Sequence, residues 1–292
     1  MKLSYYPGCT LKDKARNFED STFSSMRRLG VEIEELSRWN CCGTVYSLAS
    51  DDLMRRLAPV LNLIRAKEAN ASTFMTSCAM CYNTIKRANN DVRSNPDMLN
   101  RMNEFMSTEK VNYEGDVDVL HLLEILRDQI GFEALAEKVE KPLTGLKVAS
   151  YYGCMLVRPK EVAFDDLENP TVMDDLISAL GAEPVEFTHK TVCCGAYQTV
   201  DKIDIVAGQT YEIMTAAREQ GADIVAVSCP LCAFNLDHRQ KETLEKYPQF
   251  HNMPVVYFTQ LMAVALGCSE TALDSGLHHI DPLPVLAEKG LM

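Results

Sequence analysis

The run Trp39-Asn40-Cys41-Cys42-Gly43-Thr44 sets two cysteines side by side and follows them with a glycine. Consecutive Cα atoms lie about 3.8 Å apart, short of the ~4.4–6.8 Å of an ordinary disulfide, so these two thiols are poorly placed to bond to each other. The pattern returns as Thr191-Val192-Cys193-Cys194-Gly195-Ala196. Before the first doublet stands Cys9, 31 residues away; after it, across 35 residues, comes Cys78-Ala79-Met80-Cys81. The second doublet is framed by Cys154, across 38 residues, and by Cys229-Pro230-Leu231-Cys232, across 34. The flanks repeat as well: "SYYPGC" (Ser4 to Cys9) echoes "SYYGC" (Ser150 to Cys154), and "FMTSCAMC" (Phe74 to Cys81) echoes "VAVSCPLC" (Val225 to Cys232). The offset is 145 residues at the first cysteine and 151–152 at the others, which reads as a tandem duplication. Of eleven cysteines only Cys268 has no counterpart, and a small buried hydrophobe is its ordinary reading.

The duplication organises the chain into a first unit over 1–143, a second over 144–268, and a tail over 269–292. The tail, with His278-His279, is expected to be irregular and to dock on a partner or on the protein's own surface. The seam falls near Glu140-Lys141-Pro142-Leu143-Thr144-Gly145, which carries turn residues. Each unit alternates strands and helices. In the first, strands are expected at Lys2–Tyr6, Val31–Leu36, Ser72–Thr76 and Val117–His121, with helices over Arg16–Leu29, Asp51–Ala69 and Ala79–Met102. In the second, strands fall at Lys147–Tyr152, Pro184–Phe187, Asp223–Val227 and Val255–Thr259, with helices over Val172–Leu180, Ile203–Gln220 and Leu231–Lys246. This predicts an α/β chain of two Rossmann-like domains with parallel sheets, related by a pseudo-twofold axis. The cysteines follow strand ends, the edge at which open parallel sheets gather ligands.

Composition narrows the function. The 292 residues are 47% hydrophobic and 24% charged, enough for a large core. A net charge of −12 argues against a general nucleic-acid binder. The longest apolar stretch, Val255 to Gly267, is 13 residues, short of the roughly 18–20 of a membrane span. Nothing at Met1–Tyr6 resembles a signal peptide, so a cytoplasmic location is expected. There, cysteines are better read as metal ligands or redox groups than as a disulfide framework.

Cys-x-x-Cys at the start of a helix is a two-ligand clamp whose helix end favours thiolate. Zinc, iron–sulfur and dithiol chemistry all use it. A structural zinc or a cubane cluster needs four thiolates, whereas each unit offers five. Adjacent cysteines can reach neighbouring iron atoms, so the doublet suits a polynuclear centre. A structural zinc site in one half is the chief competitor.

Two copies of Cys-x₃₁₋₃₈-Cys-Cys-Gly-x₃₃₋₃₄-Cys-x-x-Cys resemble the cysteine-rich CCG domains, and a chain made of two such domains is similar to the B subunit of the heterodisulfide reductases of methanogens. The resemblance covers about residues 1–268. It implies two noncubane [4Fe–4S] clusters, one held by Cys9, Cys41, Cys42, Cys78 and Cys81, the other by Cys154, Cys193, Cys194, Cys229 and Cys232. It implies reduction of the coenzyme M–coenzyme B disulfide to two thiols. Electrons would come from an iron–sulfur C subunit and a flavin-bearing, iron–sulfur A subunit of the same heterodisulfide reductase, with a hydrogenase or formate dehydrogenase further out. The alternative is an electron-relay subunit of a lactate, glycolate or succinate type dehydrogenase, with no disulfide substrate. Sulfonate, carboxylate and phosphate groups on the two coenzymes call for basic residues, for which Lys12, Lys14, Arg16, Arg158, Lys160 and Lys190 are candidates against the ordinary reading of solvated charges. His189 is a candidate proton donor on the strength of its near-neutral titration, a surface histidine being the competing reading. Trp39 is expected to shield the first cluster from water.

Overall fold

The computed structural model describes residues 1–44, 48–268 and 275–292. The first half contains β1 (Lys2–Tyr5), α1 (Arg16–Arg28), β2 (Glu32–Glu35), α2 (Met54–Glu68), β3 (Thr73–Thr76), α3 (Ala79–Ser94), α4 (Pro96–Phe105) and β4 (Asp118–His121). A helical passage closes it, made of α5 (Leu122–Glu124), a π-helical turn (Ile125–Ile130) and α6 (Phe132–Ala136). The second half runs β5 (Lys147–Tyr151), α7 (Val172–Ala179), β6 (Glu183–Pro184), α8 (Ile203–Glu219), β7 (Ile224–Val227) and α9 (Pro230–Ala233). It continues through a π-helical turn (Phe234–His238), α10 (Gln240–Lys246), β8 (Val255–Tyr257) and α11 (Phe258–Ala265); α12 (Leu283–Glu288) lies near the end of the chain.

The two sheets have one topology, β2-β1-β3-β4 and β6-β5-β7-β8, and every pair is parallel. Inner strands are buried and apolar, as Ile224-Val225-Ala226-Val227 shows. The edge strand β2 reads Glu-Ile-Glu-Glu, and its exposed carboxylates discourage pairing with another chain. The sequence expectation of Pro184–Phe187 as a strand shrinks to the two residues of β6. Pro184 has no N–H for a ladder, which confines it to an edge. The single helix expected over Ala79–Met102 is two helices. Asn95 adopts an extended conformation, caps α4 by accepting from the Met98 N–H, and Pro96 takes the first helical position. The strand expected over Val255–Thr259 ends at Tyr257, where the Gln260 side-chain carbonyl accepts from the Tyr257 N–H and starts α11. Of the expected tail, residues 269–274 lie outside the described residues; beyond them Leu286 of α12 is buried.

The halves pack through α1 against α11. The contact face of α1 carries Phe18, Ser21, Thr22 and Ser25, all fully buried. Ser21 Oγ and Thr259 Oγ1 are 2.6 Å apart, and Phe18 stacks on Tyr257 with ring centroids at 4.1 Å. Small hydroxyl residues let the two helices approach while each hydroxyl still finds a partner. Ser21→Leu should therefore cost about 1–3 kcal/mol through overpacking, read as a lower urea midpoint. Ser21→Ala should cost no more than about 1 kcal/mol. Wild-type stability in the leucine variant would mean that the halves do not meet here.

Candidate metal centre

The sheet topology gathers the cysteines. Cys9 follows β1, Cys41 and Cys42 follow β2, and Cys78 ends the loop after β3 as the residue that caps α3. Cys154, Cys193, Cys194 and Cys229 take the equivalent places, and Cys81 and Cys232 lie one turn into α3 and α9. All are carboxyl-end positions beside the strand-order reversal, where a parallel sheet leaves a crevice. In both halves a buried tyrosine ties down the doublet loop. Tyr6 donates to the Asn40 carbonyl at 2.8 Å, and Tyr151 donates to the Val192 carbonyl at 2.5 Å, each the residue before a doublet.

The thiols form a chain of contacts. Cys9 lies 3.8 Å from Cys41, and Cys41 meets Cys42, which meets Cys81, which meets Cys78. In the second half Cys154 lies 3.9 Å from Cys193, and Cys194 lies 3.6 Å from Cys232, which meets Cys229. Cys78 and Cys229 are neighbours across the halves, each bearing on the other's ionisation. The backbone reinforces this junction, since the Ala79 N–H donates to the Ser228 carbonyl at 2.9 Å. Among the described residues no three His, Cys, Asp or Glu side chains close around one ion. Cys9, Cys41 and Cys193 are exposed, and Cys42, Cys78, Cys81, Cys194, Cys229 and Cys232 are buried.

So many thiols in contact cannot all ionise. Cys42 is held well below the usual thiol range, first because it accepts from Cys41 and then from Cys81. Cys229 is held low by Cys232 and then Cys78. Cys193 falls to about 6 because Cys154 donates to it, with the Gly195 and Ala196 N–H groups adding to this against desolvation. Their donors Cys41, Cys78, Cys81, Cys154 and Cys232 are pushed up correspondingly. Some thiols are thus held low at the expense of the neighbours that donate to them; multivalent iron would let more of them ionise.

The cradle also has the shape of a site that tolerates no extra atom. A Cβ on Gly8 would stand 2.8 Å from Cys81 Sγ, and one on Gly153 would stand 3.3 Å from Cys232 Sγ. Both glycines have positive φ, +75° and +62°, and both immediately precede the first cysteine of their half. The donor set and these clefts fit an iron–sulfur centre in each half.

Comparison with known proteins agrees. Residues 3–86 and 148–237 each match the cysteine-rich domain family, CCG. The chain is 31% identical over 280 residues to the 8-methylmenaquinol:fumarate reductase membrane anchor subunit of Wolinella succinogenes, covering 95% of this chain and 96% of that one. It is 30% identical to the B subunit of the ferredoxin/F(420)H(2)-dependent CoB-CoM heterodisulfide reductase of Methanosarcina acetivorans, covering 98% and 96%. The chain belongs to the CCG family, in the branch that holds the B subunits of heterodisulfide reductases. A hypothetical protein from Helicobacter pylori shares the fold, with a TM-score of 0.76 at 14% identity; the match covers 95% of this chain and 51% of that one. Among the described residues no helix is long and apolar enough to cross a membrane.

The two CCG units differ where they meet. By the repeat, Pro230 stands where Ala79 stands. Having no N–H, Pro230 cannot return to the Ser77 carbonyl the bond that Ala79 makes to Ser228. His121, at the end of β4, takes its place: Nε2–H donates to the Ser77 carbonyl at 2.8 Å, and Nδ1 accepts from the Leu123 N–H. Sequence reading passed over this histidine, whose only signal was its place at a strand end. Burial pushes it down to about 3.

The basic candidates do not form one patch. Lys12 is paired with Glu19 and Glu35, and the Arg16 Nε bonds the Lys12 carbonyl. Arg158 bonds Glu168 and the Thr191 carbonyl. Lys190 is buried on Asp174 and Glu186, while its carbonyl accepts from the Tyr152 and Gly153 N–H groups beside Cys154. Lys14 and Lys160 are exposed. His189 is half-buried, with Nδ1 at 2.9 Å from the Thr188 hydroxyl. Trp39 is partly buried, donates from Nε1 to Glu35, and stands edge-on to Tyr6.

Gly8→Ala should lower iron per chain more than Gly153→Ala does, because its Cβ intrudes further on a ligand; equal iron in Gly8→Ala and wild type would contradict the cradle. The folded-state value of His121 lies below the ~6.5 of an unfolded histidine. The unfolded chain therefore binds the extra proton between the two. Stability from a neutral His121 is complete above about pH 6.5 and is lost as pH falls toward 3. His121→Phe should cost about 1–3 kcal/mol at pH 7 and show a shallower loss of urea midpoint between pH 7 and 5.

Proposed function

We propose that this chain is the catalytic subunit of a heterodisulfide reductase, reducing the coenzyme M–coenzyme B disulfide or a close relative to two thiols. The observation that carries this reading is the bond from the Ala79 N–H to the Ser228 carbonyl, which sets the two five-thiol sets side by side. The reaction R–S–S–R′ + 2 e⁻ + 2 H⁺ → R–SH + R′–SH breaks one sulfur–sulfur bond and takes two electrons and two protons. Two noncubane [4Fe–4S] clusters, held by Cys9, Cys41, Cys42, Cys78 and Cys81 and by Cys154, Cys193, Cys194, Cys229 and Cys232, would supply one electron each and an iron site for each departing sulfur.

The chain's own residues do the rest. Tyr6 and Tyr151 fix the doublet loops, and the buried cysteines hold the inner side of each centre away from water. Exposed Cys9, Cys41 and Cys193 mark the side open to a substrate or partner. Trp39, held by Glu35 and Tyr6 just before the first doublet, is the candidate to cover it. Lys14, paired only loosely with Asp13 at 3.9 Å, and Lys160 offer positive charge to an anionic coenzyme, whereas Lys12, Arg158 and Lys190 reach one only by exchanging a carboxylate, and Arg16 sits beside Lys12. His189 is the candidate proton donor. Electrons would arrive from the iron–sulfur and flavin-bearing subunits of the reductase, with a hydrogenase or formate dehydrogenase beyond, in the cytoplasm.

A second reading, an electron-relay subunit, is favoured by the fumarate reductase relative and by the carboxylates already occupying Lys12, Arg158 and Lys190. The two readings part in anaerobic turnover with reduced viologen and the heterodisulfide. The catalytic reading expects thiol release by the intact chain and its loss in both Cys9→Ser and Cys154→Ser. Full activity in either variant would rule out two-sided cleavage. No turnover by chain carrying both clusters would favour the relay.

A further inference from the structure

The duplication lets one half be compared with the other residue by residue. The residue after the second cysteine of the clamp is Tyr82 in the first half and Ala233 in the second. Tyr82 is buried, with its ring edge-on to His121 and Phe164, both at 5.7 Å between centroids. Its hydroxyl crosses the interface and donates to the Val162 carbonyl at 2.7 Å. Corresponding positions, occupied by different residues, stand around Ala233, which is itself half-buried. Tyr257 ends β8 as His121 ends β4, by strand register. Asn17 stands eight residues after Cys9, as Val162 does after Cys154.

With a methyl group in place of a phenol, the second half keeps a cavity of about 180 Å³, bounded by Ala233, Tyr257, Pro230, Leu231, Asn17 and His278. An apolar cavity of about 150 Å³ is enough to take up benzene. One wall is polar and its hydrogens can be assigned. Gln260 Oε1 already accepts from the Tyr257 N–H at 2.9 Å, and Asn17 Oδ1 from the Phe18 N–H at 3.0 Å. Both amides therefore present NH₂ to His278 Nε2, at 3.0 and 3.1 Å. Nε2 then accepts from both amides. Lys14 and Asp237 also line the cavity.

We propose that this cavity binds a single planar six-membered ring bearing an oxygen substituent, a phenolic or quinonoid ring, where the first half carries the side chain of Tyr82. Pro230, Leu231 and Tyr257 pack the ring, and the wall of Asn17 and His278 meets its oxygen. The occupant lies against the backbone that carries both thiol sets, since Thr10 follows Cys9 and Pro230-Leu231 separates Cys229 from Cys232. Lys14 is common to this cavity and to the charge offered to an anionic coenzyme, but ring binding is read without turnover and so is separable from the disulfide reading.

The test is calorimetric titration of the cluster-loaded protein with p-cresol under anaerobic conditions. One saturable site is expected, with toluene, which lacks the oxygen, binding more weakly. Ala233→Tyr should weaken p-cresol by at least about tenfold without lowering the melting temperature, because the first half already accommodates that ring. Ala233→Phe should do the same if the tyrosine variant folds poorly. No saturable binding by wild type, equal affinity for toluene, or p-cresol binding unchanged in both variants would each overturn the proposal.

Discussion

The structure depends on one junction, the bond from the Ala79 N–H to the Ser228 carbonyl, which brings the neighbouring Cys78 and Cys229 side by side. Each thiol ends a loop at the carboxyl edge of its own sheet, at the first position of its own clamp. Bringing the two edges face to face makes one continuous run of sulfur from two separate α/β units. The α1–α11 packing serves the same end, because its hydroxyl pairs and the Phe18–Tyr257 stack hold the edges in register. A centre of this kind is expensive to bury as bare thiolates, and bound cations would relieve the repulsion among them.

Exact twofold symmetry is broken near the junction, and each break has a physical consequence. Pro230 removes one of two equivalent backbone donors, and the neutral imidazole of His121 replaces it. Ala233 removes one of two corresponding rings and leaves a cavity beside the second thiol set. The halves are alike in the ligands they offer and unlike in what surrounds them.

Much of this was legible in the sequence, for a definable reason. The doublets, clamps and glycines are short-range patterns tied to loop geometry, so their repetition revealed both the duplication and the parallel α/β plan. Boundaries were misread where one residue overrides periodicity, as Pro96 and Asn95 do in breaking the long helix, and as Pro184 does in cutting β6 to two residues. The environments of Lys12 and Lys190 were not legible, because their carboxylate partners are chosen by the fold and not by spacing. His121 and the open space over Ala233 were hidden for a related reason: each matters only in relation to a residue in the other half.

The measurement closest to the central claim is iron, acid-labile sulfide and zinc per chain on protein purified without oxygen. Two polynuclear centres predict roughly eight irons with a near-matching sulfide count and no zinc. About four irons with one zinc would mean that only one half holds a cluster and that the other is a structural zinc site. That outcome would contradict the account of two equivalent thiol sets meeting at Cys78 and Cys229.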